Sequence, residues 1–67
     1  MVNQPKPRRA VALYDCDADQ EDELSFRIGE VILVVNENTN DEEWVEGVIE
    51  GDPTRQGLVP KIFVNFI

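Results

Sequence analysis

The sequence predicts a small all-β domain, a five-stranded and partly open barrel, and three observations support this. The chain has 67 residues, enough for one domain and no second globular unit. Short apolar runs rich in β-branched residues alternate with polar loops, with no helix between them. Gly51–Thr54 carries strong turn chemistry between two of these runs. Closing such strands into a barrel removes most exposed strand edges.

The first eight residues are predicted to be a flexible linker, and the folded domain is predicted to span residues 9–67. The linker is polar, is interrupted by Pro5 and Pro7, and shows no periodicity. This composition is typical of an extended segment within a longer protein.

The strands are predicted from mostly apolar segments of four to six residues, and the turn from Pro60 to Phe63 is too short for an α-helix. The predicted elements are Ala10–Leu13, Glu30–Val35, Trp44–Ile49, Gln56–Pro60, a 3₁₀ turn over Pro60–Phe63, and Val64–Ile67. Strand alternation predicts that the core comprises Ala10, Ala12, Leu24, Phe26, Ile32, Val34, Val45, Gly47, Ile49, Val59 and Val64. It also predicts that Trp44 and Glu46 face outward.

The charge of the chain is strongly acidic and unevenly distributed. Fourteen acids against six bases give a net charge of −8, which disfavours nucleic acid as a partner. Three bases lie within the first nine residues, so residue 10 onward carries three bases and all 14 acids. Six acids fall between Asp15 and Glu23, and an Asn-rich, acidic loop follows from Asn36 to Glu43. This acidic body is expected to attract a basic ligand.

Composition also argues against an enzyme. The chain has no His and one Cys, which removes zinc sites of the usual ligand types, Cys–His nucleophiles and Ser–His–Asp triads. No cofactor or metal site is expected. Asp15–Asp19 has the 1-3-5 spacing of a calcium loop, but Gln20, Asp22 and Phe26 break the rest of that motif. Weak calcium association through charge alone is kept as an alternative.

The setting predicted for the domain is the reducing cytoplasm, where it is expected to be a monomer. The lone Cys16 excludes an internal disulfide framework, and no signal peptide follows Met1. The longest apolar run, Val31–Val35, is far too short to span a membrane, so no direct membrane insertion is expected.

Six separated motifs show a resemblance to a known family. They are Ala12–Asp15, Glu23–Phe26, Gly29–Glu30, Trp44, Gly57–Pro60 and Phe63–Val64. In order and spacing they resemble the Src homology 3 (SH3) domain, over roughly Ala10 to Ile67. Within that family, Tyr14–Cys16 and the turn from Ile49 to Gly57 are similar to domains of scaffold-type Arf GTPase-activating proteins.

The resemblance implies a non-catalytic adaptor module that binds proline-rich PxxP peptides in polyproline II form, with a flanking Arg or Lys. It implies roles in signalling or in membrane and cytoskeleton trafficking. The implied groove residues are Tyr14, Cys16, Trp44, Leu58, Pro60 and Phe63. The implied pocket for the basic residue draws on Glu21, Asp22, Glu23 and Glu43.

The sequence departs from the family pattern at three positions and allows alternative interpretations. Cys16 replaces a usual aromatic residue, Ile62 a common asparagine, and Phe63 a usual tyrosine, so weakened peptide affinity is expected. Phe63 also makes ubiquitin an alternative partner, since an apolar groove floor would suit the apolar patch of ubiquitin. An intramolecular latch formed by Pro5–Arg9 is another alternative. The acidic run could serve solubility alone.

Overall fold

The structure is a computed structural model that describes residues 8–67, and this part of the chain forms one antiparallel sheet of five strands with one 3₁₀ turn. The elements are β1 (Arg8–Ala12), β2 (Val31–Asn36), β3 (Trp44–Ile49), β4 (Asp52–Pro60), the 3₁₀ turn (Lys61–Phe63) and β5 (Val64–Phe66). The predicted fold class is confirmed. Within residues 8–67, no helix is long and apolar enough to cross a membrane.

The sheet is curled but not closed. Its strand order is β4-β3-β2-β1-β5, so β4 and β5 lie at its two ends. The acidic loop is the long connection between β1 and β2, which carries the six acids from Asp15 to Glu23, and one segment of it covers part of β4. The N–H of Leu58 donates to the carbonyl of Asp22 at 2.8 Å, and the N–H of Leu24 donates to the carbonyl of Leu58 at 2.9 Å. These two hydrogen bonds fix the acidic loop against the edge strand.

The core is built from inward-facing residues of all five strands and from two residues of the acidic loop. Its buried apolar side chains are those of Ala10, Ala12, Leu24, Phe26, Ile32, Val34, Val45, Ile49, Val59 and Val64. Gly47 is also buried, and a Cβ there would lie 2.5 Å from Cγ2 of Ile32. The predicted core is confirmed.

The first strand starts two residues earlier than the predicted strand, at Arg8 instead of Ala10. β1 begins at Arg8, which pairs with Val34 on β2, whereas the sequence prediction placed Arg8 in the linker. The Arg8 guanidinium lies 2.8 Å from Glu37 and 4.0 Å from the ring centroid of Phe66. These contacts with distant residues extend the strand. Residues 1–7 of the predicted linker lie outside the described residues.

The hairpin between β3 and β4 turns earlier than the prediction placed it. The chain turns at Glu50 and Gly51, where Gly51 has a φ of +89°, and β4 starts at Asp52 instead of Gln56. A register shift between Val48 and Ile49 accommodates the early start. Pro53 is tolerated because β4 is an edge strand, whose outer side needs no N–H donor.

Candidate functional site

Two cavities meet at Glu23 and Trp44 on one side of the barrel. The polar cavity, of about 550 Å³, is lined by Glu23, Asn36, Asn38, Thr39, Asn40, Asp41, Trp44, Glu46 and Leu58. The apolar cavity, of about 420 Å³, is lined by Cys16, Asp17, Asp19, Glu23, Glu43, Trp44, Pro60, Ile62 and Phe63. Glu23 and Trp44 therefore lie where a mainly apolar surface meets a mainly polar one, and acidic residues line both.

Trp44 is placed between the cavities by the start of β3. Its partner in the sheet is Pro60, and the next residue, Val45, is fully buried, so the indole lies on the outer face. The backbone N–H of Trp44 donates to the carbonyl of Asp41 at 3.1 Å, and the Thr39 hydroxyl donates to the backbone carbonyl of Trp44 at 2.8 Å. The indole is half-buried, which confirms the predicted outward position.

Aromatic rings extend the apolar cavity on its other side. Phe63, in the 3₁₀ turn, packs edge-on against buried Phe26 with ring centroids 6.4 Å apart, and against Tyr14 at 5.7 Å. The N–H of Leu13 donates to the Phe63 carbonyl at 2.8 Å, which holds Tyr14 beside the turn. Tyr14 is 58% exposed, so its ring presents a free face to a ligand.

Glu23 owes its position to the close approach of the acidic loop to β4. A Cβ on Gly57 would lie 2.8–2.9 Å from backbone atoms of Asp22, Glu23 and Leu24, so only glycine permits this contact. The Glu23 carboxylate accepts a hydrogen bond from the N–H of Asp19 at 3.2 Å. The local backbone thus fixes the carboxylate at the wall shared by both cavities.

The cavities contain some of the predicted site residues and omit others. Cys16, Glu23, Glu43, Trp44, Pro60 and Phe63 line the apolar cavity together, and Leu58 lines the polar one. Tyr14 lines neither, although it contacts Phe63. Glu21 also lines neither cavity, and Asp22 lies in a third, smaller cavity on the far side of Leu58.

Several cavity residues were not assigned to a site in the sequence analysis. Asp17, Asp19 and Ile62 line the apolar cavity, while Thr39, Asp41 and Glu46 line the polar one. Two signals could have identified part of this set: Asp41 lies only three residues before Trp44, and strand alternation already placed Glu46 on the outer face.

The carboxylates around the cavities differ from those elsewhere in their pairing. Among residues 8–67, ion pairs join Arg8 to Glu37, Arg9 to Glu50, Arg27 to Asp15 and Asp17, and Arg55 to Glu30. Of the acids lining the two cavities, Asp17 alone takes part in these pairs. Glu23, Asp41, Glu43 and Glu46 form no ion pair with a basic side chain of residues 8–67.

Cys16 contributes a protonated thiol to the apolar cavity. It is half-buried, and its backbone exchanges hydrogen bonds of 2.8 and 2.9 Å with Phe26. Burial raises the pKa of the Cys16 thiol above its ordinary value, and the carboxylates of Glu23, Asp17 and Asp19 raise it further. The thiol is therefore a packing group at neutral pH, because nucleophilic attack requires the thiolate.

The part of the chain that the structure covers contains no group of three or more His, Cys, Asp or Glu side chains arranged to hold a metal ion. The chemistry that the two cavities offer is an apolar, partly aromatic surface beside unpaired carboxylates.

Comparison with known proteins identifies relatives of this chain. The family model for the SH3 domain matches residues 11–61. Human SH3 domain-containing protein 19 is 38% identical over 63 residues, covering 94% of this chain and 7% of the relative. Rho GTPase-activating protein 26 of Xenopus tropicalis is 39% identical over 61 residues, covering 91% of this chain and 8% of the relative. The chain thus spans less than a tenth of the length of these relatives.

Solved structures agree with the sequence relatives. The C-terminal SH3 domain of myosin IB from Entamoeba histolytica, bound to an EhFP10(GEF) peptide, superposes with a TM-score of 0.79 at 31% identity, covering 96% of this chain and 88% of that one. The yeast Nbp2p SH3 domain in complex with a peptide from Ste20p gives 0.78 at 31% identity, covering 91% and 87%. The narrower similarity to scaffold-type Arf GTPase-activating proteins stays a prediction.

Proposed function

This chain belongs to the SH3 domain family, and on that premise we propose that it binds proline-rich PxxP peptides that carry an adjacent Arg or Lys. SH3 domains are non-catalytic peptide-binding modules. The observation that supports the finer proposal is the meeting of the apolar and the polar cavity at Glu23 and Trp44. One ligand can contact both surfaces at once.

The apolar cavity suits the proline part of the ligand. A polyproline II helix has three residues per turn and presents prolines as ridges on one side. Trp44, Pro60 and Phe63 offer flat apolar walls against which such ridges can pack, and Tyr14 extends them through its edge-on contact with Phe63. Cys16 offers the prolines less apolar contact area than an aromatic ring would, because its side chain is smaller.

The polar cavity suits the basic residue. We assign the charged contact to Glu23, with Asp41 and Glu46 as further carboxylates on the same cavity and Glu43 beside Trp44. A guanidinium can bind a carboxylate through two parallel hydrogen bonds. Glu21 and Asp22, which the sequence analysis included in this pocket, lie outside both cavities and are left out of the assignment.

The expected affinity is modest. Ile62 is 77% exposed at the cavity rim but offers no hydrogen-bonding group, and Phe63 lacks a hydroxyl. Each missing hydrogen bond costs about 0.5–1.5 kcal/mol of binding free energy. We therefore expect micromolar dissociation constants, about −8 kcal/mol or weaker.

A peptide array followed by NMR titration tests the proposal. The array presents PxxP peptides with Arg or Gln at each flanking position, and the selected peptide is then titrated into labelled protein. We expect amide shifts around Trp44, Pro60 and Phe63. The Trp44→Lys variant should lose binding and keep the dispersed spectrum of a folded domain.

A matched control separates the site from a general charge effect. Ile28→Lys adds the same positive charge at an apolar residue that is 65% exposed and lines neither cavity. It should bind the peptide like the parent protein. Equal binding by Trp44→Lys, or shifts that map away from the two cavities, would show that the site is assigned wrongly.

The cellular role follows as part of the proposal. We propose that the domain recruits proline-rich, basic segments of other proteins as a monomeric cytoplasmic adaptor in signalling or in membrane and cytoskeleton trafficking. Relatives that include Rho GTPase-activating proteins and a myosin heavy chain support such a role. Ubiquitin binding through Phe63 and a latch formed by Pro5–Arg9 stay predictions; residues 5–7 of that latch lie outside the described part.

A further inference from the structure

A third cavity, of about 230 Å³, lies beside the polar cavity and shares Glu46 and Leu58 with it. Its remaining walls include Asp22, Val35 and Gly57. We infer that this third cavity binds a second Lys or Arg side chain of the same peptide ligand, beyond the basic residue held in the polar cavity. The inference rests on the proposed function and assigns one more position of the ligand.

The first support is that the backbone holds Asp22 over this cavity. Its carbonyl accepts the 2.8 Å hydrogen bond from Leu58, and the missing side chain of Gly57 allows the loop to lie directly on β4. Glu23, the next residue, lines the other two cavities. Two consecutive acidic residues therefore line different cavities.

The second support is a β-bulge in β2. Val34 pairs with Gly47 and Asn36 pairs with Glu46, so Val35 is an extra residue opposite one step of β3. Such bulges redirect the side chain of the inserted residue. Val35 is 57% exposed and lines the third cavity beside Glu46. The bulge thus places an apolar surface next to a carboxylate.

The third support is the match between this lining and a long basic side chain. Lys and Arg carry an aliphatic stem that packs on apolar surface and a charged head that stays near water. Val35 and Leu58 can contact the stem, while Asp22 and Glu46 can receive the head. Within residues 8–67 no basic side chain forms an ion pair with either carboxylate.

Size and spacing complete the assignment. Pockets for small-molecule ligands are usually about 300–1,000 Å³, so this cavity suits one side chain better than a separate compound. Side chains of an extended or polyproline II peptide return to the same side every two or three residues. The second basic residue should therefore lie two or three positions beyond the first.

Synthetic peptides test this inference. The parent peptides carry a PxxP core, one Arg before or after it, and four Ala residues beyond the Arg; the variant peptides replace one Ala at a time with Arg. Affinities are measured by isothermal titration or fluorescence anisotropy. Arg at the second or third position should bind roughly 1.5- to five-fold tighter than Ala, the range of exposed ion pairs.

Protein variants locate the gain. Asp22→Asn should abolish the difference between the Arg and Ala peptides, and Val35→Ser should reduce it. Glu42→Gln removes the same charge from a residue that lines none of the three cavities, and it should preserve the difference. Amide shifts produced by the added Arg should centre on Asp22, Val35 and Gly57.

The outcomes distinguish this inference from the function on which it rests. If neither parent peptide binds, the proposed function fails and the inference fails with it. If a parent peptide binds but no added Arg improves its affinity, the third cavity is not a ligand site while the proposed function stands. A gain that persists in Asp22→Asn would also overturn the inference.

Discussion

Two faces of this small barrel use their charged side chains in different ways. On the paired face, Arg9 meets Glu50 at 2.9 Å and Arg55 meets Glu30 at 2.9 Å, so bases neutralise acids between distant parts of the chain. On the cavity face, Glu23, Asp41, Glu43 and Glu46 form no ion pair among residues 8–67, and Asp17 is the one lining acid that pairs with a base, Arg27. The two cavities therefore carry several carboxylates that no base pairs with in the part of the chain that the structure describes.

This difference shows that the ion pairs shape the electrostatic field more than they stabilise the fold. The side chains of the Arg9–Glu50 pair are 51% and 42% exposed, and pairs exposed to this degree contribute about 0–1 kcal/mol to the free energy of unfolding. Their effect on the field is larger, because all the paired acids except Asp17 lie outside the two cavities. A basic peptide is thus directed to the cavity face.

The largest expected effect comes from Gly57→Ala, which disturbs the cavity face through the backbone. The new Cβ would lie 2.8–2.9 Å from backbone atoms of Asp22, Glu23 and Leu24, and backbone cannot move aside as a flexible side chain can. We expect the free energy of unfolding to fall by about 1–3 kcal/mol, the usual cost of overpacking. The affinity for an Arg-containing peptide should fall as well. Urea unfolding and peptide titration measure both effects.

A glycine of the paired face provides the control. Gly51 has a φ of +89° and nothing within 4 Å of its missing Cβ. Gly51→Ala should cost about 1–2 kcal/mol through backbone strain alone and leave peptide affinity unchanged. If Gly57→Ala also leaves it unchanged, the close loop contact does not position the site.

Next in size is the effect of reversing one charge on each face. Glu23→Lys should weaken the binding of an Arg-containing peptide roughly tenfold, or about 1.4 kcal/mol, since it replaces attraction by repulsion at the shared wall. Glu50→Lys makes the same change in net charge on the paired face. Because solvent ions screen charges beyond about 8 Å, its effect on affinity should stay near twofold. Equal losses in the two variants would contradict the distinction between the faces.

A smaller effect is expected within the paired face itself. A double-mutant cycle with Arg9→Gln and Glu50→Gln should give a coupling of about 0.2–1 kcal/mol in the free energy of unfolding. Arg9 contacts both oxygens of Glu50, at 2.9 and 3.1 Å, so the pair has favourable geometry despite its exposure. A coupling well above this range would mean that the paired face does contribute substantially to stability.

The smallest effect is the pH dependence of Cys16. Since burial and the carboxylates of Glu23, Asp17 and Asp19 raise the pKa of its thiol, alkylation by iodoacetamide should rise at higher pH in the folded domain than in the same chain in urea. The unfolded state loses this proton first, so the thiol's contribution to stability declines as the pH rises past the unfolded pKa. High salt should reduce the difference in part. A folded-state midpoint at or below the unfolded one would contradict the raised pKa of the Cys16 thiol.

The fold and its core could be predicted from the sequence because both depend on local patterns. Alternation along Trp44–Ile49 identified the buried and outward residues, and the glycine at position 51 lies in the turn it was expected to form. The cavities were predicted less completely. Arg9 and Glu50 are 41 residues apart, and no local pattern links them. Likewise, the sequence analysis grouped Asp22 with Glu23 in one pocket, and the loop's contact with β4 directs them to different cavities.

The most direct test of the central claim, that unpaired carboxylates at Trp44 select a basic proline-rich ligand, compares two peptides at two salt concentrations. The peptides share one PxxP core and differ only in an Arg or a Gln beside it. We predict tighter binding of the Arg peptide at low salt, through faster association, and convergence of the two affinities near 1 M NaCl, where screening acts over about 3 Å. Equal affinities at low salt, or the same salt dependence for both peptides, would contradict the account.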